Sequence, residues 1–170
     1  SRGHPMLVQA VWPPILWADA FRAEPAEWEE RASQQRATWL SLLRAQGMVD
    51  APSALLLFAG RWSAEKRIHR LFDALPSDCA LVVVGDGPST TYAHEVEAAG
   101  GAAAEPPRPN VLCLRGMLDA ASLRTAYAAA DLFVSASDFE TLGNTIVESW
   151  CAGTPVGVHQ KQGHLEHVVE

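Results

Sequence analysis

The sequence predicts an α/β fold, an open parallel sheet with helices on both faces in the Rossmann-like manner. Two observations carry that expectation. Short, continuous apolar runs rich in β-branched residues recur five times after residue 53, and each lacks the polar alternation of a strand with one wet face. Between the runs lie helix-like stretches bounded by caps, glycines and prolines.

The first run is residues 54–59 (ALLLFA), broken by Gly60 and followed by a helix over about 64–75 that Pro76 ends. Residues 80–84 (ALVVV) form the second, closed by Gly85-Asp86-Gly87-Pro88 and followed by a polar, Ala- and Glu-bearing stretch to Ala99. Residues 111–114 form the third. After Gly116, Asp119 stands as the N-cap of an Ala-rich helix with Leu123, Tyr127 and Ala130 on one face. Residues 132–135 are the fourth run, with a helix over about 143–152 behind it, and residues 156–158 are the fifth.

The first 50 residues differ in texture. Pro5, Pro13 and Pro14 make the start irregular, and Pro25 then opens a long helix that Gly47 ends. Along it Trp28, Ala32, Gln35, Trp39 and Leu42 share a face, to pack on the sheet or on a domain outside this sequence. Its Glu27, Glu29 and Glu30 set against Arg31 and Arg36 do not suit a membrane-surface helix. The division expected is therefore 1–50 as linker and terminal elements of a preceding domain, and 51–170 as the ligand-binding domain.

Composition narrows the function. The 13 basic and 20 acidic side chains among 170 residues leave a net charge of −7, unsuited to a general nucleic-acid binder. Cys79, Cys113 and Cys151 are far apart without a C-x-x-C pair, as expected of buried, reduced thiols in a reducing compartment. No apolar run approaches the ~20 residues of a membrane span. The chain opens at Ser1 and closes at Glu170 within a helix-like phrase, as a piece of a longer protein would.

In such a sheet ligands meet the loops at the carboxyl ends of the strands. The loop after the first strand offers Gly60, Arg61 and Lys66. Two cations beside a helix start suit a diphosphate, and the same pattern suits ordinary surface charges, with Lys66 pairing to Glu65 or Asp73. The G-D-G-P after the second strand lacks the third glycine of a dinucleotide fingerprint and reads as a tight turn. After the fourth strand, Glu140 and Glu148 are eight residues apart, about 80° around a helix, so one sits in the loop and the other on the second helical turn. Glu140 then suits sugar hydroxyls and the amides after it suit phosphate, or both glutamates are a cap and a surface charge. His159, His164 and His167 read as surface histidines rather than a metal site. Neither G-x-S-x-G nor a P-loop is present.

Together, residues 60–66 (GRWSAEK), 82–88 (VVVGDGP), 114–118 (LRGML), 135–148 (SASDFETLGNTIVE) and 151–158 (CAGTPVGV) resemble the C-terminal, donor-binding domain of a retaining GT-B glycosyltransferase of family four. Order and spacing match over residues 54–170. The resemblance implies that Arg61 and Lys66 hold the donor diphosphate and, with Glu140, act in catalysis. It implies Glu140 on the donor sugar, Glu148 on the ribose, and Thr141, Leu142, Gly143, Asn144 and Thr145 around the phosphates. Gly60 would flank the diphosphate, and Gly116, Met117 and Leu118 would lie along the base. The ETLG wording is similar to the branch of sulfoquinovosyl- and other lipid-directed transferases.

The implied substrate is a UDP- or GDP-linked sugar, with no cofactor and no metal, since no acidic spacing here forms a D-x-D clamp. The implied partner is an N-terminal acceptor domain of the same chain and, through it, a peripheral membrane contact, in the cytoplasm or an organellar stroma. Residues 159–163 lack the glycine pair often present after the fifth strand of that family. A non-catalytic sugar-nucleotide-binding module is the competing reading.

Overall fold

The computed structural model describes residues 25–101, 104–138 and 143–159. The elements run α1 (Pro25–Ala45), β1 (Ala54–Ala59), a single 3-10 turn (Ala64–Lys66), α2 (Ile68–Ala74), β2 (Cys79–Gly85), α3 (Thr90–Ala99), β3 (Val111–Arg115), α4 (Ala120–Ala129), β4 (Leu132–Ser135), α5 (Asn144–Cys151) and β5 (Val156–Val158). The five strands form one parallel sheet in the order β3-β2-β1-β4-β5.

Strand periodicity explains the two-sided core. In β2, Val82 and Val84 join Leu55, Leu57, Phe133, Trp39, Leu43 and Tyr127 on one face. Leu81 and Val83 join Phe58, Trp62, Ile68, Phe72 and Val96 on the other. Successive side chains point to opposite faces, so burying both faces requires apolar residues throughout, as the runs show. Helices α1 and α4 pack together on the first face, and α2 and α3 pair on the second.

Of the two packing partners open to α1, the structure shows the sheet. Its Ala32, Trp39 and Leu43 lie within the core of β1 and β2. The buried stripe is Trp28, Ala32, Trp39 and Leu43, so Leu43 replaces the expected Leu42, which is 42% exposed. A step of four from Trp39 stays over the sheet, whereas a step of three turns away from it here. The Arg36 guanidinium donates to the Ala129 carbonyl at 3.0 Å and to Asp131 Oδ2 at 2.8 Å, and that same oxygen accepts the Leu55 amide at 2.7 Å. One carboxylate thus ties α1 to the start of β1 beside β4.

Two further expectations are corrected. The helix expected over 64–75 is broken at Arg67, whose φ of 50° and ψ of 38° end the 3-10 turn and restart the chain as α2. A left-handed arginine costs about 1–2 kcal/mol, and here its side chain is held by Asp138. Of the cysteines expected to be buried, Cys79 and Cys113 are half-buried and Cys151, the last residue of α5, is exposed. Burial pushes the Cys113 thiol up to about 12, which leaves it inert at neutral pH.

The G-D-G turn after β2 is a close-packing device. A Cβ on Gly85 would stand 1.8 Å from the Gly60 carbonyl oxygen, and one on Gly87 would stand 1.9 Å from that of Trp62. Gly87→Ala is expected to destabilise the fold by about 3 kcal/mol or more, measured by urea denaturation. A loss under about 0.5 kcal/mol, the range of an ordinary surface substitution, would contradict this packing.

Candidate functional site

In the order β3-β2-β1-β4-β5 the chain leaves β1 toward β2 and β3, then crosses back to β4 on the other side of β1. The loops after β1 and β4 therefore diverge, and a crevice opens between them at the carboxyl ends of the strands. A cavity of about 910 Å³ occupies this place. Its floor is Phe58, Ala59, Val84, Phe133 and Ser135, the last residues of three strands or close to them.

Nine of the residues expected at the site line this cavity: Gly60, Arg61 and Lys66 from the loop after β1, Gly116, Met117 and Leu118 from the loop after β3, and Gly143, Asn144 and Thr145 at the start of α5. Glu140, Thr141 and Leu142 lie outside the described residues, as do His164 and His167. Glu148 is not on the cavity wall; it is buried, 6% exposed, one turn along α5 from Asn144 and Thr145. The sequence reading missed Ser135, Phe133 and Leu123 as lining residues. Their signal was positional only: two stand at the carboxyl end of the fourth apolar run, and one on the first turn after the Asp119 cap.

The cations of the lining come from the loop after β1, Arg61 from its start and Lys66 from the 3-10 turn that follows. Arg61 keeps its side chain 63% exposed, with its guanidinium 3.5 Å from Glu65. The Ser63 hydroxyl, donating at 2.7 Å, holds the Glu65 carboxyl below its ordinary range, with Arg61 and Lys66 adding to the effect. Expectation paired Lys66 with Asp73 as one alternative; Asp73 instead binds Arg108 at 3.1 Å.

Another part of the lining is a helix end. Gly143, with φ 66° and ψ 49°, precedes α5 and supplies no side-chain cap. Its carbonyl accepts the amides of Ile146 and Val147, and the amides of Asn144 and Thr145 have no acceptor among the described residues. Those N–H groups carry the positive end of the helix dipole at the cavity.

Backbone hydrogen bonds hold the walls in place. Gly60 donates to Val84, Trp62 to Asp86, and Gly116 to Gly85, which joins three loops side by side. Asp86 accepts the Gly87 amide at 2.8 Å and Arg115 Nε at 3.0 Å, and these bonds hold its carboxyl below the usual range. Across the crevice, the Asp138 amide donates to the Glu65 carbonyl at 3.0 Å, and its carboxylate takes Arg67 and Arg70. Arg67 does most to keep the Asp138 carboxyl low. The segment carrying Lys66 is thereby latched to the segment leading into α5. Among the described residues no group of three or more His, Cys, Asp or Glu could hold a metal ion.

A family model described as glycosyl transferases group 1 matches residues 53–170. The chain belongs to that family. The sulfoquinovosyl transferase SQD2 of Arabidopsis thaliana is 33% identical over 118 residues, covering 68% of this chain and 21% of that protein. A GDP-mannose-dependent alpha-mannosyltransferase of Corynebacterium glutamicum is 35% identical over 99 residues, covering 58% of this chain and 21% of the relative. Among solved structures, Anabaena HepE in complex with UDP and glucose has a TM-score of 0.68 at 23% identity, covering 89% of this chain and 38% of that one. This likeness shows the fold, the Rossmann-like domain of GT-B glycosyltransferases. The chain spans 21–34% of the length of the curated relatives it matches. Among the described residues no helix is long and apolar enough to cross a membrane.

Burial raises the pKa of Glu148 above its ordinary 4.5, against a smaller lowering by the hydrogen bond from Tyr127. The native state therefore holds this proton more tightly than the unfolded chain, and stability is lost as pH rises from the unfolded value through the folded one. Glu148→Gln keeps an acceptor and never ionises. Relative to wild type it is expected to be more stable at pH 7, with the gain fading as pH falls to about 4. Urea denaturation at pH 4, 5.5 and 7 measures this; a difference independent of pH would contradict it.

Proposed function

We propose that this chain is the donor-binding half of a glycosyltransferase that moves a hexosyl group from a nucleoside-diphosphate sugar to an acceptor with retention of anomeric configuration. The observation that carries the proposal is the convergence of Arg61, Lys66 and the start of α5 at Gly143, Asn144 and Thr145 on one cavity. A diphosphate in that space would meet the two cations and the Asn144 and Thr145 amides. The apolar surface of Met117 and Leu118 would then flank the base.

The arrangement suits bond cleavage at the anomeric carbon. As the C–O bond breaks, negative charge grows on the leaving diphosphate, and groups that bind this charge more tightly than the ground state lower the barrier. The wall is already in place before charge develops, because backbone bonds and the Asp138 latch hold it. Arg61 would exchange its partner Glu65 for the phosphate, and Glu140 and Glu148 would serve the sugar and the ribose. A separate domain of the complete protein would bring the acceptor, from the leaving-group side. Among the relatives, an alpha-monoglucosyldiacylglycerol synthase supports a lipid acceptor and a lipopolysaccharide core biosynthesis glycosyltransferase supports a glycan acceptor.

In the complete protein, UDP or GDP is expected to raise the melting temperature. Arg61→Ala and Lys66→Ala are each expected to weaken that nucleotide about tenfold or more and abolish most of the shift. Differential scanning fluorimetry reads both. Shifts unaltered by either substitution, or no shift with any nucleotide, would overturn the assignment. Turnover of a nucleotide sugar by the same protein separates an enzyme from a module that only binds.

A further inference from the structure

Beneath the cavity wall lies a buried polar pair that ordinary packing does not call for. Tyr127 on α4 is wholly buried, and its hydroxyl donates to Glu148 Oε2 on α5 at 3.1 Å. Tyr127 belongs to the apolar core of the first sheet face, where it meets Phe133 edge-on with ring centroids 5.4 Å apart. A carboxylate placed there loses hydration, and one hydrogen bond does not restore it. Among the described residues Glu148 Oε1 has no donor. An apolar pair of the same volume would pack this spot at less cost.

The position of the pair suggests what offsets that cost. Leu123 lies one turn before Tyr127 on α4, and Asn144 and Thr145 lie one turn before Glu148 on α5; all three line the cavity. Tyr127 and Glu148 thus lie on facing sides of two helices, each one turn along from residues that line the ligand space. The tyrosine is itself pinned, because its carbonyl accepts the Thr154 hydroxyl at 2.7 Å and the Thr154 carbonyl accepts the Ser149 hydroxyl at 2.9 Å.

We propose that Tyr127 is a positioning residue, whose hydroxyl holds Oε2 of Glu148 so that Oε1 presents as the acceptor for the ribose hydroxyls of the donor nucleotide. The inference rests on the donor-binding reading of the cavity and extends it to a residue that does not touch the ligand. A carboxylate with one oxygen already bonded and its rotamer fixed loses less freedom when it binds a diol. Burial also keeps competing water away from it. Tyr127→Phe removes the hydroxyl and leaves the ring against Phe133, so the fold is retained.

Titration calorimetry on the complete protein tests this with UDP, GDP and their 2′,3′-dideoxy analogues. Wild type is expected to bind the ribose forms about tenfold tighter than the dideoxy forms. Tyr127→Phe is expected to weaken the ribose forms about fivefold and leave the dideoxy forms within about twofold. On a Glu148→Ala background the same change should have no further effect on the ribose forms, because the two residues act as one unit. Equal weakening of ribose and dideoxy forms, or no weakening of either, would overturn the role of Tyr127. Wild type that binds nucleotide without preferring the ribose would overturn it too, while leaving the donor-binding reading intact. Wild type that binds no nucleotide would overturn both.

Discussion

The pairing of β4 against β1 is the constraint on which the rest of the structure depends. Leu56 and Leu57 register with Leu132 and Phe133, which seats the fourth strand beside the first rather than beside the third. All strands run parallel, and the order in which they are added to the sheet reverses at that seam, so loops that would otherwise crowd together part and leave a crevice. Asp131 holds the seam from its far end by accepting the Leu55 amide while its own amide donates to the Leu55 carbonyl. Without this adjacency, Arg61 and Gly143 would not face a common space.

Two kinds of charge are brought to that space by different means. The cations come on side chains of the loop after β1 and the 3-10 turn within it, close to solvent and partly balanced by Glu65. The helix amides come from backbone geometry, because a glycine in the left-handed region starts α5 without a side chain to cap it. The Asp138 latch ties one source to the other, and the three bonded loops set the third wall. Among the described residues, Asp86, Arg115, Asp138 and Glu65 are bound to other groups of the protein. A lining held this way suits the proposed stabilisation of departing charge, which needs groups already in place.

The strands were legible because both-face burial imposes an unmistakable composition. Residues 54–59, 132–135 and 156–158 fall in strands with those limits, and the Asp119 cap accepts the Ser122 amide as its side chain suggested. The break at Arg67 was not legible, because local propensity gives no warning of a left-handed arginine. It depends on Asp138, 71 residues further along the chain. The choice of Leu43 over Leu42 likewise follows from the packing of α1 on β1 and β2, which periodicity alone does not contain. At the site, the motif residues could be placed at the correct end of the sheet, whereas the burial of Glu148 against Tyr127 needed the packing of two helices to become visible.

A crystal structure of the complete protein with UDP or GDP bound tests the central claim most directly. The account predicts the diphosphate in the crevice between β1 and β4, with its oxygens within about 3.2 Å of the Asn144 or Thr145 amides and of the Arg61 or Lys66 side chains. A nucleotide bound elsewhere, or a diphosphate pointing away from the start of α5 into solvent, would contradict it.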